Sequence, residues 1–497
     1  MNRRAIAIAV AAFVAPLAAA SCKSSGAEEP PPDGGEPDTR PPTPPEWDRA
    51  VARPTEAEAA KKREACGFAR GALPAETLGK ELPVDRDIPI DTIVVVMQEN
   101  RSFDHYYGRL GQYLGRADVE SPPEGATNPR KGGELVPWKH AEHLCFYDTD
   151  HEWSAVHRQY DGGKNDGFVV TNDQRRDEGA PIADPALGDG ARAMWWYDQR
   201  DIPFYYEVAK TFATGDHYHC SLLGPTWPNR MFLYAGTSLG MTFNSLPDVS
   251  AHKFPQTDLT IFDELDRRHV DWSFFGDGPP GVGLLVGIDI TTRWGRAVSK
   301  PIASFYERAK AGTLPAVSFV DANFLNTGDT AKGATEHPPE NPQRGQRFVY
   351  DVVKALMESP QWKRSALFVL YDEHGGLYDH VPPPSACVPD GSALRTEDGK
   401  PAEGGFDRLG FRVPFMVVSP YAKRGYVSHD IYDHTSVVRF IQARYKMPAL
   451  TGRDANAKPP LDVFDFAGAP NLTTPVPAAP PIDPVEDAYC KQPAFRR

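Results

Sequence analysis

Two pairs of hard oxygen donors, Glu99-Asn100 and Asp372-Glu373, each stand where a run of apolar residues stops. A divalent cation takes such oxygens readily, and two acidic strand ends converging on one crevice would repel each other unless a cation sat between them. Between the pairs in sequence lies Gly224-Pro-Thr-Trp-Pro-Asn-Arg230. Pro228 marks a helix start, with Thr226 just upstream, where unpaired backbone amides and the helix dipole favour an anion. A hard or borderline divalent ion would lower the pKa of the Thr226 hydroxyl enough for attack on phosphorus, giving a phosphothreonine intermediate. Histidines then neutralise phosphoryl oxygens or protonate a leaving group, and the chain offers His151, His337, His374, His380 and His434. Each motif also has a plain reading. Thr226 and Asp433-His-Thr-Ser436 could be helix caps, His337-Pro-Pro a rigid turn, and Gly375-Gly376 a tight turn or a point where a backbone approaches a ligand closely.

The elements that must position these residues follow from their pattern. Ile93 to Met97 and Ala366 to Tyr371 lack polar alternation, as strands buried on both faces of a parallel sheet do. Ligands of open α/β sheets collect outside the carboxyl ends of such strands. Further strands are expected over His269 to Phe275, Ala316 to Val320 and Val413 to Val418, the second ending at Asp321. Helices are expected over Thr55 to Ala65, Pro203 to Phe212, Leu259 to Arg268, Arg347 to Met357 and Ser436 to Tyr445. Alternating strand and helix predicts a mostly parallel central sheet covered on both faces. Trp138 to Asp177 is polar, aromatic and histidine-bearing, and reads as a large loop-rich insertion. Trp153, Trp195, Trp196 and Tyr197 could line a choline-binding pocket, although core packing is their commoner use.

Composition limits the partners. The chain has 497 residues and a formal net charge of -13, which argues against a nucleic-acid ligand. Residues 1–21, with Arg3-Arg4 before an alanine-rich apolar run, read as a signal peptide. Cys22 after Ala19-Ala20-Ser21 resembles a lipoprotein cleavage site, which predicts membrane anchoring and export to the periplasm, the outer membrane or the medium. Residues 22–53 are rich in Pro, Glu and Gly and predict a disordered tether, 54–465 a single catalytic domain and 466–497 a Pro-rich tail. Six cysteines, none in a Cys-x-x-Cys pair, allow up to two disulfides and one free thiol once Cys22 is set aside.

At these residues the chain becomes recognisable. Gln98-Glu-Asn-Arg-Ser-Phe-Asp-His-Tyr-Tyr-Gly108, Gly224 to Arg230, Glu336-His-Pro-Pro339, Tyr371-Asp-Glu-His-Gly-Gly-Leu-Tyr-Asp-His-Val-Pro-Pro383 and Asp433 to Ser436 resemble the phosphoesterase family. That family holds bacterial phosphatidylcholine-type phospholipases C and respiratory-burst-inhibiting acid phosphatases, with plant non-specific phospholipases C as relatives. The resemblance implies an alkaline-phosphatase-like α/β fold and a hydrolase of phosphate esters that uses one divalent metal ion. It implies Glu99, Asn100, Asp372 and Glu373 as metal ligands and Thr226 as the metal-bound nucleophile. His151, His337 and His434 would contact phosphate or leaving group, and Asn229, His374, Asp379 and His380 would bind substrate. Threonine at 226 resembles the phospholipase branch; the acid phosphatase branch, the alternative reading, has serine there. A non-catalytic surface binding protein is the rival of another class.

Overall fold

The computed structural model describes residues 40–173, 189–244, 260–278, 300–323, 333–492 and 495. At its centre is a sheet of seven strands: β1 (Thr92–Gln98), β2 (Ala213–Gly215), β3 (Trp272–Phe275), β4 (Val317–Asp321), β5 (Ser365–Tyr371), β6 (Phe415–Val418) and β7 (Tyr426–Ser428). Their spatial order is β7-β2-β6-β5-β1-β4-β3. β1 runs parallel to both of its neighbours, β4 and β5, and β3 runs parallel to β4. Every residue of β1 and β5 is buried, which is why both strands lack polar alternation.

The expected mostly parallel α/β architecture is therefore present, with one reversal. β6 pairs antiparallel with both β5 and β2. A short apolar run carries no mark of direction, so the sequence could not show this. The helices that frame the site are α1 (Pro203–Thr211), α2 (Thr226–Ala235), α3 (Pro342–Met357), α4 (His434–Tyr445) and α5 (Pro484–Cys490). α3 begins five residues before the expected Arg347, with Pro342 in its first turn and Asn341 accepting from the Gln343 amide at 2.9 Å. Its opening turn, Pro-Gln-Arg-Gly-Gln, has no apolar stripe to reveal it.

The two ends of the chain depart from expectation more. The stretch read as tether is pinned by one buried residue within residues 40–53: Trp47 sits in the main core, and Arg268 lies over its ring. The stretch read as a tail ends in α5, and Phe495 is buried. Covalent links hold both ends, Cys66 to Cys387 and Cys145 to Cys490, leaving Cys220 as a buried thiol. Single large aromatic anchors and cysteines in a polar, Pro-rich context escape a compositional reading. Residues 1–21, read as a signal peptide, Cys22 and residues 23–39 lie outside the described residues. The loop-rich insertion carries a small core of its own, in which Val156, Phe168, Val169, Met194, Tyr378 and Phe411 meet.

Candidate active site

The parallel pairing of β1 with β5 sets their exits side by side. The Asp372 amide donates to the Gln98 carbonyl at 3.1 Å, the Arg101 amide to the Glu373 carbonyl at 3.1 Å, and the Asn100 amide to Asp372 Oδ1 at 3.1 Å. Asn100 turns through a positive φ of 61°, a conformation asparagine tolerates better than most residues. Gly375 and Gly376 also have positive φ, and a Cβ on them would lie 2.4 Å from the Asn100 carbonyl oxygen and 2.3 Å from that of Asp150. The glycine pair thus lets two other loops close onto the strand exit.

Glu99, Asn100, Asp372 and Glu373 are all buried there. Asp372 Oδ1 accepts from two backbone amides, and Oδ2 accepts from Arg230 Nε at 3.1 Å. Glu373 Oε2 accepts from the Gly375 amide at 2.7 Å. Glu373 Oε1 and Asn100 Oδ1, by contrast, are buried without a hydrogen-bond donor among the described residues. Burial pushes the Glu373 carboxyl up to about 8; His151 pulls it back, and Asp372 pushes it further. Burial likewise lifts Glu99 well above the usual carboxylate range, with Arg230 opposing and Asp372 reinforcing the shift. A divalent cation is what would hold these carboxyls ionised. Three carboxylates, one of them with an oxygen lacking a donor, and an amide oxygen also lacking one are the donor chemistry a hard cation takes, so the residue types fit the expected metal ion.

Arg230 was quoted in a motif but given no role, and it proves central. Its fully buried guanidinium lies 3.1 Å from Asp372, 3.3 Å from Asp321 and 3.7 Å from Glu99, joining the ends of β1, β4 and β5. The charge repulsion taken to require a metal ion is thus met in part by the protein itself. Thr226 stands at the first position of α2, one turn before Arg230 on the same helical face, and is 4% exposed. The four-residue spacing was the signal that could have revealed Arg230.

His151 and His337 come together, their ring centroids 5.5 Å apart. His151 Nδ1 donates to the Thr149 carbonyl at 2.7 Å, so Nε2 carries the lone pair; it accepts from Asn100 Nδ2 at 3.2 Å and lies 3.8 Å from Glu373 Oε1. His337 Nδ1 donates to the Pro338 carbonyl at 2.6 Å. Asp148, which sequence reasoning passed over, joins them: one ligand atom from each of the three lies within 4.8 Å of the others. The His337 loop is anchored by Glu336, whose carboxylate accepts from the hydroxyls of Tyr106, Tyr205 and Tyr371, while Arg101 donates to its carbonyl.

The remaining candidates are placed differently. His434 donates from Nε2 to the Asp372 carbonyl at 2.9 Å and accepts at Nδ1 from the Tyr218 hydroxyl, and burial pushes it down to about 4. With both nitrogens engaged, it braces the β5 exit. Asp433 before it forms a capping box with Ser436, matching the plain reading of that motif. Asn229 donates to the carbonyls of Gly224 and Pro225 and accepts from the Leu222 amide, so its side chain closes the loop that leads into Thr226. His374 is buried against Phe411 and donates to Gln159 Oε1 at 2.8 Å. Asp379 and His380 belong to another cluster, in which Arg412 binds Asp379 at 2.9 Å and Asp104 at 2.7 Å. His380 Nδ1 donates to Asp104 at 2.7 Å and Nε2 faces Glu120 at 3.0 Å. Each of these side chains is held by protein partners in the structure. The choline-pocket aromatics are dispersed: Trp195 and Tyr197 lie in the main core, and Trp153 packs on Phe406.

The model of the phosphoesterase family matches residues 90–448. Phospholipase C B of Mycobacterium tuberculosis is 32% identical over 445 residues, covering 78% of this chain and 80% of that protein. Non-specific phospholipase C1 of Arabidopsis thaliana is 32% identical over 390 residues, covering 74% and 69%. The hemolytic phospholipase C of Pseudomonas aeruginosa is 28% identical over 486 residues, 84% of this chain and 63% of that one. Among solved structures, a protein in the alkaline phosphatase superfamily from Vibrio parahaemolyticus is 9% identical with a TM-score of 0.36, covering 82% and 76%. The matched span contains every strand of the central sheet and all the strand-exit residues, and the chain belongs to the phosphoesterase family, as a phosphoric ester hydrolase of the phospholipase C type.

Proposed function

We propose that this protein is an exported, metal-dependent phospholipase C that cleaves a phosphodiester through Thr226. The observation that carries the reading is the convergence of Glu99, Asn100, Asp372 and Glu373 at one strand exit, with Glu373 Oε1 and Asn100 Oδ1 lacking donors among the described residues. Those four side chains and the Thr226 hydroxyl would hold one divalent ion. When bound, such an ion supplies the charge that lowers a hydroxyl pKa and offsets developing negative charge on phosphoryl oxygens.

The chain's own residues do the rest. Thr226 Oγ gives its proton up to solvent, from which the spent imidazole is later reprotonated, and attacks phosphorus; the Oγ–P bond forms and the bond from phosphorus to the diacylglycerol oxygen breaks. The departing oxygen takes a proton from an imidazole of the His151–His337 pair, which Asp148 steadies in its charged form. Water then attacks the phosphoryl-threonine, returning Oγ to its hydroxyl and releasing the phosphorylated head group. Arg230 keeps Asp372 oriented, and the α2 N-terminus favours the negative charge that gathers beside Thr226.

The substrate class rests on relatives named phospholipases C, which favour that reading over the acid phosphatase alternative. Export rests on residues 1–22, and no helix among the described residues is long and apolar enough to cross a membrane. The test assays p-nitrophenyl phosphate, p-nitrophenyl phosphorylcholine and phosphatidylcholine before and after chelation, with Thr226→Val beside the wild type. Diester cleavage should exceed monoester cleavage and vanish with chelator. Thr226→Val should lose several orders of magnitude in kcat, as loss of a covalent nucleophile does, and Thr226→Ser should keep part of it. Near-normal turnover in Thr226→Val would mean that water attacks directly.

A further inference from the structure

α5 touches both loops that carry the paired histidines. Glu486 accepts from the Leu144 amide at 2.9 Å and from His143 Nδ1 at 3.1 Å, and the Tyr489 ring stacks on His143 at 3.8 Å. Cys490 is bonded to Cys145, and Phe495 packs on Tyr147. These partners lead directly into Asp148 and His151. On its other side, Asp487 accepts from Arg344 Nε at 2.7 Å and Nη2 at 2.9 Å and from Asn341 Nδ2 at 3.4 Å, while the Asp483 amide donates to Gln343 Oε1 at 2.7 Å. Those residues form the first turn of α3, immediately after His337-Pro-Pro-Glu340.

We infer that α5 is a positioning clasp, which sets the His151 loop against the His337 loop from outside the site. The inference rests on the proposed role of the two histidines. Two loops far apart in sequence must present their rings at one fixed separation. A helix bonded to both by charge-assisted hydrogen bonds, and to one by a covalent link, removes their relative freedom before substrate arrives. Arg192, which donates to the carbonyls of Tyr147 and Asp148, shares the load on one loop only. Among the described residues, α5 bridges the two loops without touching the strand exits.

The test uses the full chain and p-nitrophenyl phosphorylcholine, with kcat and KM measured separately well below each variant's Tm. In Glu486→Ala/Asp487→Ala, kcat should fall about tenfold with KM little changed, the cost of a small misplacement at the reacting groups. Glu486→Gln/Asp487→Asn should regain most of it, because the amide oxygens still accept from Leu144 and Arg344. Cys145→Ser/Cys490→Ser should move kcat in the same direction, which keeps the inference testable if the alanine pair does not fold. A lowered Tm with kcat within about twofold of wild type in these variants would overturn the clasp and leave α5 a staple for stability alone. His151→Ala and His337→Ala run alongside. Full turnover in both would overturn the histidine assignment and the clasp with it; lost turnover there, with clasp variants unaffected, overturns the clasp alone.

Discussion

Two buried acidic clusters grow from the same two motifs, and they are finished differently. At the strand exits, Glu99, Asp372 and Asp321 share one guanidinium, that of Arg230, and Glu373 Oε1 has no donor among the described residues. A few residues further along each motif, Asp104 and Asp379 share Arg412, and here the protein completes every bond. Asp104 accepts from Arg412 and from both the amide and the ring of His380, and Asp379 accepts from Arg412 and the amides of Asp104 and Val381. A buried polar cluster that is fully satisfied rigidifies a fold, while one left incomplete marks where a ligand is expected. On the proposed function, the difference separates residues that hold the loops from residues that would face the chemistry.

The largest expected effect that would sharpen this contrast is at Glu373. Glu373→Gln keeps the shape and an oxygen for the Gly375 amide, so the fold should persist while kcat drops at least about a hundredfold. Metal analysis should show the bound divalent ion lost with it. In the wild type, an ion present at a hundred times its Kd should stabilise by about 2.7 kcal/mol in urea unfolding, and in Glu373→Gln that gain should disappear. Equal stabilisation of both proteins would break the comparison.

Next in size is the paired cluster. Arg412→Met leaves two carboxylates buried without their cation and should cost about 3–5 kcal/mol, read from the urea midpoint. A cost below about 1 kcal/mol would place these carboxylates among the solvated pairs instead.

The smallest effect concerns His380. Burial disfavours its charged ring, but Asp104 more than offsets this and holds the pKa above the ordinary 6.5. Because the folded state binds the proton more tightly, the stabilisation is complete below the unfolded value and is lost as pH rises through the raised one. A proton NMR titration should place His380 above 6.5, and Tm should fall more steeply above that pH in the wild type than in His380→Gln. An ordinary or depressed value would show that the Asp104 bond does not govern this ring.

Much of the arrangement was legible in the residues. β1 and β5 announce themselves because burial on both faces removes polar alternation, and their exits carry the oxygens that converge. What stayed hidden depends on pairings distant in sequence. Nothing near Glu336 says that three tyrosine hydroxyls will meet its carboxylate, and nothing near Asn229 says that its amide closes the preceding loop. His434 shows how a motif histidine can serve geometry: its two nitrogens are taken by a carbonyl and a hydroxyl that the sequence does not place beside it. Asp148 lay in a polar stretch where no periodicity singled it out.

The pairing of β1 with β5 also sets a clock. Asn100 and Asp372, joined by a hydrogen bond, are 272 residues apart in the chain, and the two disulfides span 321 and 345 residues. At roughly 5–20 residues per second of synthesis, the first strand waits from about a quarter of a minute to nearly a minute for its partner to exist. Until β4 and then β5 are made, Ile93 to Met97 is an apolar segment without either of its sheet neighbours. A chain whose central strands still lack their neighbours is a client for whatever shields apolar segments, and on the proposed export it is also one that a channel can still thread.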